Sequence, residues 1–318
     1  MSKSSAVCLA VCDKWYIVLL VSVRGITKGK SIGGKSVNKK VVVTGGSGKL
    51  GKWVLREFLE NGYDVVNVDI ALPKDEICKT VKADLSNLGE VYGALSGAEA
   101  VVHIAAIPRP YMNPNEVVFK NNVMSTYNIL EAAAGLGIKK AVIASSESLY
   151  GICFAVNPIQ PLYVPIDEDH PLLPQDCYGL SKIVNENTAE MFNRRTGMQV
   201  VSMRLGNVIE PDDYSRFKSF IHDPEQRERI LWSYIDSRDA ASACRMAVEA
   251  EGLGAVSLNI AADITSMDIK SRDLMEARYP EVSDFRAPLN GYETLLSNEK
   301  AKKLLNWQPI HLWRNYVK

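Results

Sequence analysis

From Lys39 onward the apolar positions alternate between two rhythms. "KKVVVTGG" is a short continuous apolar run that stops at glycine, as a strand buried on both faces does. "KLGKWVLREFLENG" carries Leu50, Trp53, Val54, Leu55, Phe58 and Leu59 at helical spacing and stops at Asn61-Gly62, a helix C-terminal signal. "DVVNVDI", "TVKADL", "EAVVHIAA", "KKAVIASS" and "QVVSMRLG" read as further strands. "NEVVFKNNVMSTYNILEAAAGLG" and "YGLSKIVNENTAEMFNRRTG" read as long helices, the second preceded by a Pro-rich loop from Gly151 to Pro174. This alternation predicts an α/β fold, a doubly wound, mainly parallel sheet with helices on both faces. Past Gly206 the order loosens. The expected organisation is an extension over 1–38, a sheet domain over 39–205, and a small lobe over 206–318 interleaved with the last sheet elements. "SNEKAKKLLNWQP" reads as a Ser-capped amphipathic closing helix.

The first 38 residues break the rhythm. "KWYIVLLVSV" is too short an apolar run to span a bilayer, and the stretch after Asp13 is basic, acid-free and rich in Gly and Ser. Three readings fit: a loosely attached or disordered extension, a targeting segment, or an extra strand or upstream start codon that the cell does not use. The chain has 318 residues, zero formal net charge and 47% hydrophobic residues, which argues against a nucleic-acid binder working by bulk electrostatics. Its six cysteines are scattered, and Cys8 and Cys12 have no nearby histidine, so no metal site is expected. Reduced thiols suit a cytoplasmic location, with organelle targeting by the extension as the alternative.

Candidate chemistry begins at "TGGSGKLG", between the first strand and the first helix. Gly45, Gly48 and Gly51 allow a tight turn, close backbone approach to a pyrophosphate, and helix–strand packing; Ser47, Lys49 and Leu50 fill the same loop. Asp69 ends the second strand, where a carboxylate can hold both ribose hydroxyls of an adenosine; as a loop or cap residue it would hold only backbone. A 2′-phosphate would meet its charge, so NAD is expected over NADP.

The glycine spacing, "VVHIAA" and Tyr178-x-x-x-Lys182, in this order, resemble the extended short-chain dehydrogenase/reductases, the NAD-dependent epimerase/dehydratase family, over roughly residues 39–309. The resemblance implies a Rossmann domain in which Asp84 and Leu85 contact adenine, Ala105 and Ala106 line the dinucleotide groove, and Asn122 supports the helix carrying the site. It makes Ser146 in "ASSESLYG" the catalytic serine. Glu147 and Ser148 stand where sugar dehydratases of the superfamily carry Asp-Glu, a departure from the dehydratase pattern. Tyr178 would be the acid/base. A phenol titrates near 10, so proton abstraction at neutral pH needs a shift of about three units, which Lys182 one helical turn on and an oxidised nicotinamide would both favour. His103 is expected to be packed.

The stretch from Gly206 to "WSYID" is shorter than the insert that nucleotide-sugar epimerases carry there, and "RLGNVIEPDDY" resembles the uronate-dehydrogenase-like branch. The expected activity is hydride transfer to NAD from a secondary alcohol of a free sugar or sugar acid. Arg109, Glu147, Ser148, Asn207 and Arg216 are substrate candidates, with Tyr111, Tyr214, Phe217 and Trp232 nearby in sequence; each has a bland reading as a surface or core residue. A nucleotide-sugar 4-epimerase is the alternative, and a dinucleotide-sensing regulator without turnover is the alternative from another class. The family resemblance implies a homodimer through the helix around Val117–Ala134 and the one carrying Tyr178.

Overall fold

The computed structural model describes residues 39 to 317, so the readings of the extension, with Cys8 and Cys12, lie outside the described residues. Strands β1 (Lys40–Thr44), β2 (Asp64–Asp69), β3 (Thr80–Lys82), β4 (Ala100–His103), β5 (Lys140–Ser146), β6 (Gln199–Leu205) and β9 (Ala255–Ile260) form one sheet in the order β3-β2-β1-β4-β5-β6-β9. Every neighbouring pair is parallel. From β1 the chain winds outward to β3, then returns to place β4 on the other side of β1. That reversal opens a crevice at the carboxyl ends of β1 and β4, where doubly wound sheets bind ligands.

Period-two alternation along the strands builds two cores. Val41, Val43, Val102, Val142 and Val201 point to one face, under helices α1 (Gly51–Glu60) and α5 (Ser237–Glu249). Val42, Val101, Ala141, Ile143 and Val200 point to the other, under α2 (Leu88–Leu95), α3 (Asn115–Gly135) and α4 (Cys177–Thr196). Burial on both faces explains why the strand sequences are continuous apolar runs.

Helix α2 is absent from the apolar pattern because "LGEVYGAL" holds two glycines. Its signal is at the start. The Asn87 side chain accepts from the Gly89 and Glu90 N–H groups, and the Glu90 carboxylate reaches back to the Asn87 amide and the Asp84 N–H. The closing helix α7 (Glu299–Leu305) follows a short α6 (Ser271–Arg278) and corrects the expected serine cap. Asn298 precedes it and makes no capping bond, while the Ser297 N–H donates to the Ile166 carbonyl.

The Pro-rich loop is part of a third core. Leu149, Tyr150, Ile152, Val164 and Ile166 pack with Leu231, Trp232, Leu274 and Leu296. The short parallel pair β7 (Val208–Ile209) and β8 (Ile235–Asp236) borders a fourth cluster containing Tyr214, Phe217, Tyr234 and Trp313. Tyr214, Phe217 and Trp232, weighed from sequence as substrate neighbours, are therefore core residues.

Candidate active site

A cleft of about 690 Å³ runs along the switch point of the sheet. At one end the β1–α1 turn forms its floor. Gly45 has φ +74°, and a Cβ there would sit 2.6 Å from the Ala105 backbone nitrogen. A Cβ on Gly51 would sit 2.0 Å from the Gly45 carbonyl oxygen, so only glycine lets α1 start this close to the turn. Helix α1 has no capping side chain and no acid in its first turn. Among the described residues the N–H groups of Lys49, Leu50 and Gly51 have no acceptor. A helix start of this kind suits a pyrophosphate.

Asp69 closes this end. Its Oδ2 accepts from the Ser47 N–H at 3.0 Å and its Oδ1 from the Ala71 N–H at 3.1 Å, which aims the carboxylate and leaves lone pairs for ribose hydroxyls. Asp84, Leu85, Ala105 and Ala106 line the cleft between its two ends. These residues fit a dinucleotide. Asn122 does not line the cleft. Its side chain clamps both backbone groups of Ile107, and its carbonyl accepts from Asn185 of α4, so it is a brace for the groove and for the helix bearing Tyr178. Asn121 and Ser125 of α3 are the residues that reach the cleft, unmarked by any sequence signal.

At the other end Ser146, Tyr178 and Lys182 converge. Ser146 ends β5, and its hydroxyl accepts the Ser148 N–H at 3.1 Å, which leaves its own proton to donate. Asp176 caps α4, its Oδ1 accepting from the Tyr178 and Gly179 N–H groups at 2.9 and 2.8 Å. Gly179 lets this first turn pack against the loop after β5, since a Cβ would lie 2.9 Å from the Ser148 carbonyl oxygen. The phenol is thereby held beside the end of the strand that carries Ser146.

Lys182 is buried beside the phenol. Its ammonium donates to the Ala144 carbonyl at 2.7 Å and stands 5.3 Å from the centre of the Tyr178 ring. Burial lowers its pKa to about 8, opposed by Glu186. Burial likewise pushes the Tyr178 phenol well above its ordinary value. The Ser146 hydroxyl pulls it down, and nearby Cys153, Asp176 and Glu147 push it further up. His103 is packed as expected, bonded to Thr44 and Thr126 and driven to about 3 by burial and by the Lys182 charge.

Of the substrate candidates, Glu147 and Asn207 line the cleft. Ser148 is fully buried, with its hydroxyl unpartnered, and lies outside the lining. Arg109 and Tyr111 are exposed on the loop after β4 and do not line the cleft. Arg216 is 80% exposed and faces Asp213 at 3.9 Å. Cys153, Phe154 and Ile230 complete this end of the cleft. They arrive from the Pro-rich loop and the lobe, and nothing local in the sequence marks them.

Residues 41–261 match the model of the "NAD dependent epimerase/dehydratase family". A uronate dehydrogenase of Agrobacterium fabrum is 30% identical over 190 residues, covering 58% of this chain and 68% of that protein. A UDP-glucose 4-epimerase of Corynebacterium glutamicum is 26% identical, covering 86% of this chain and 91% of its own. The structure of a short-chain dehydrogenase/reductase superfamily protein from Agrobacterium tumefaciens with bound NAD superposes with a TM-score of 0.67 at 21% identity, over 86% of this chain and 94% of that one, and shares the fold. The glycine turn, the acid at the end of β2 and the Ser-Tyr-Lys cluster all fall within or beside one cleft and inside the matched span, and the chain belongs to the NAD-dependent epimerase/dehydratase family.

Proposed function

We propose that the protein is an NAD-dependent oxidoreductase that takes hydride from a secondary alcohol of a free sugar or sugar acid. The observation that carries this reading is one continuous cleft with a dinucleotide cradle, Gly45 to Gly51 and Asp69, at one end and Ser146, Tyr178 and Lys182 at the other. Bound there, NAD supplies the hydride acceptor and a positive ring whose charge favours phenolate. Ser146 donates its free proton to the substrate oxygen and orients it. Tyr178 takes the hydroxyl proton as the carbonyl forms. Lys182 holds its charge beside the phenol, anchored on Ala144. Phe154, edge-on to the Tyr178 ring at 6.2 Å, lines the same end of the cleft.

The test is turnover of sugars, sugar acids and nucleotide sugars with NAD, following NADH, with Tyr178→Phe alongside. Net NADH formation is expected, with turnover of Tyr178→Phe lower by at least ~10²-fold and its NAD affinity unchanged. Epimer formation without net NADH would favour the nucleotide-sugar 4-epimerase, the reading that similarity to the Corynebacterium protein supports. NAD binding without any turnover would favour the sensing regulator.

The same reading extends to assembly and compartment. Val117, Met124 and Tyr127 on α3 and Leu180 on α4 are exposed apolar side chains on two helices packed together, which supports a homodimer through these helices. Cys78, Cys153, Cys177 and Cys244 are free thiols, which supports a reducing compartment such as the cytoplasm. Among the described residues no helix is long and apolar enough to cross a membrane.

A further inference from the structure

The substrate end of the cleft presents an acid, and its neighbouring cations are engaged elsewhere. Ile107, Pro108, Cys153, Phe154 and Ile230 give it a largely apolar wall, on which Glu147 and Asn207 join Ser146, Tyr178 and Lys182 as the polar groups. Lys182 bonds Ala144, and Lys49 lies at the glycine turn in an ion pair with Asp213. Arg227 lines no part of the cleft: its guanidinium donates to the Ser266 hydroxyl at 2.8 Å and to the Ser233 carbonyl at 2.9 Å. Arg229 borders only a small cavity of about 20 Å³ behind Glu147 and donates to the Ala155 carbonyl at 3.3 Å. Arg109 and Arg216 point to solvent.

Glu147 is half-buried against this wall. Its Oε2 accepts from the Ser233 hydroxyl at 2.5 Å, the Asn207 N–H lies against the same carboxylate, and Glu147 lines the cleft. We infer that the site selects an uncharged, hydroxyl-bearing substrate such as a neutral aldose, and that Glu147 is the residue that reads it, through a hydrogen bond between its carboxyl group and a substrate hydroxyl. This deepens the oxidoreductase reading and rests on it. It narrows the substrate class from free sugars and sugar acids to the neutral sugars.

The chemistry of the acid supports this choice. Burial pushes Glu147 up to about 7, opposed by the Ser233 hydroxyl, the Arg227 charge and the Asn207 N–H; Cys153 and Tyr178 are the other titratable groups facing it. At neutral pH both protonation states are populated. A substrate hydroxyl can donate to the ionised acid and accept from the neutral one, so it is held in either state. A carboxylate or phosphate is repelled by the ionised acid, finds a single donor on the neutral one, and meets no guanidinium to pair with.

The test uses the full chain with NAD and matched pairs: glucose with glucuronate, and galactose with galacturonate. The parent should favour the neutral member by at least 100-fold in kcat/KM. Glu147→Gln keeps the shape and removes the charge. It should lower the neutral rate by less than tenfold, raise the uronate rate at least tenfold, and so compress the ratio. Arg216→Ala should leave the ratio as in the parent. A parent that prefers the uronate, with Tyr178 still required, overturns the inference while the oxidoreductase reading stands. So does a Glu147→Gln variant that shifts both members equally, the mark of a structural role. Epimerisation of a diphosphate sugar, or no turnover of the panel by NAD-loaded protein, overturns both.

Discussion

Replacing Lys182 by methionine should stabilise the protein while disabling it. An ordinary lysine stays charged up to about pH 10.5, whereas Lys182 in the folded chain gives up its proton near 8 because it is buried. Below pH 8 folding therefore carries the full cost of an ammonium out of water. The cost fades as pH rises from 8 to 10.5, where the unfolded chain binds more protons than the folded one. The displacement corresponds to ~3 kcal/mol. Methionine keeps the bulk and removes the charge, but it forfeits the 2.7 Å bond to the Ala144 carbonyl. That bond is worth ~1 kcal/mol. The expected net gain is ~2 kcal/mol at pH 7, and at ~2 °C per kcal/mol for a chain of this size the midpoint should rise by ~4 °C. Above pH 10.5 the charge cost is gone, the lost bond remains, and the variant should be slightly the less stable. Thermal unfolding by circular dichroism across this pH range, without added dinucleotide, measures the difference. A variant less stable than the parent at pH 7, or a difference that does not vary with pH, would refute the reasoning. Turnover should fall and NAD binding weaken in the same variant.

Two further outcomes are expected beside those for Tyr178→Phe and Glu147→Gln. NAD should bind at least tenfold tighter than NADP, because the Asp69 carboxylate, aimed by the Ser47 and Ala71 N–H groups, would meet the 2′-phosphate; Asp69→Ala should narrow the gap, and equal binding by the parent would contradict this role. Sedimentation at micromolar concentration should give a dimer, converted to monomer by Leu180→Glu on the exposed face of α4; a monomeric parent would remove the basis for this interface.

The sequence by itself determined the elements and the two ends of the cleft. Val41 to Val43 followed by Gly45 identify a buried strand running into a phosphate turn, and Tyr178 and Lys182 share a helix face, because these signals depend on neighbours within a turn or two. A short-range signal is also present at α2, where Asn87 and Glu90 mark a helix start that its glycines obscure. Only the tertiary structure decided what meets across the cleft. The return of the chain to β4 beside β1 creates the crevice, and the packing of the Pro-rich loop on the lobe brings Cys153, Phe154 and Ile230 opposite Ser146. Burial then fixes roles that residue type leaves open. Tyr214, Phe217 and Trp232 go into cores, Arg109 and Arg216 go to solvent, and the proton affinities of Glu147, Tyr178 and Lys182 move far from their ordinary values. Desolvation depends on every atom that surrounds a group, and those atoms come from segments that the linear chain keeps far apart.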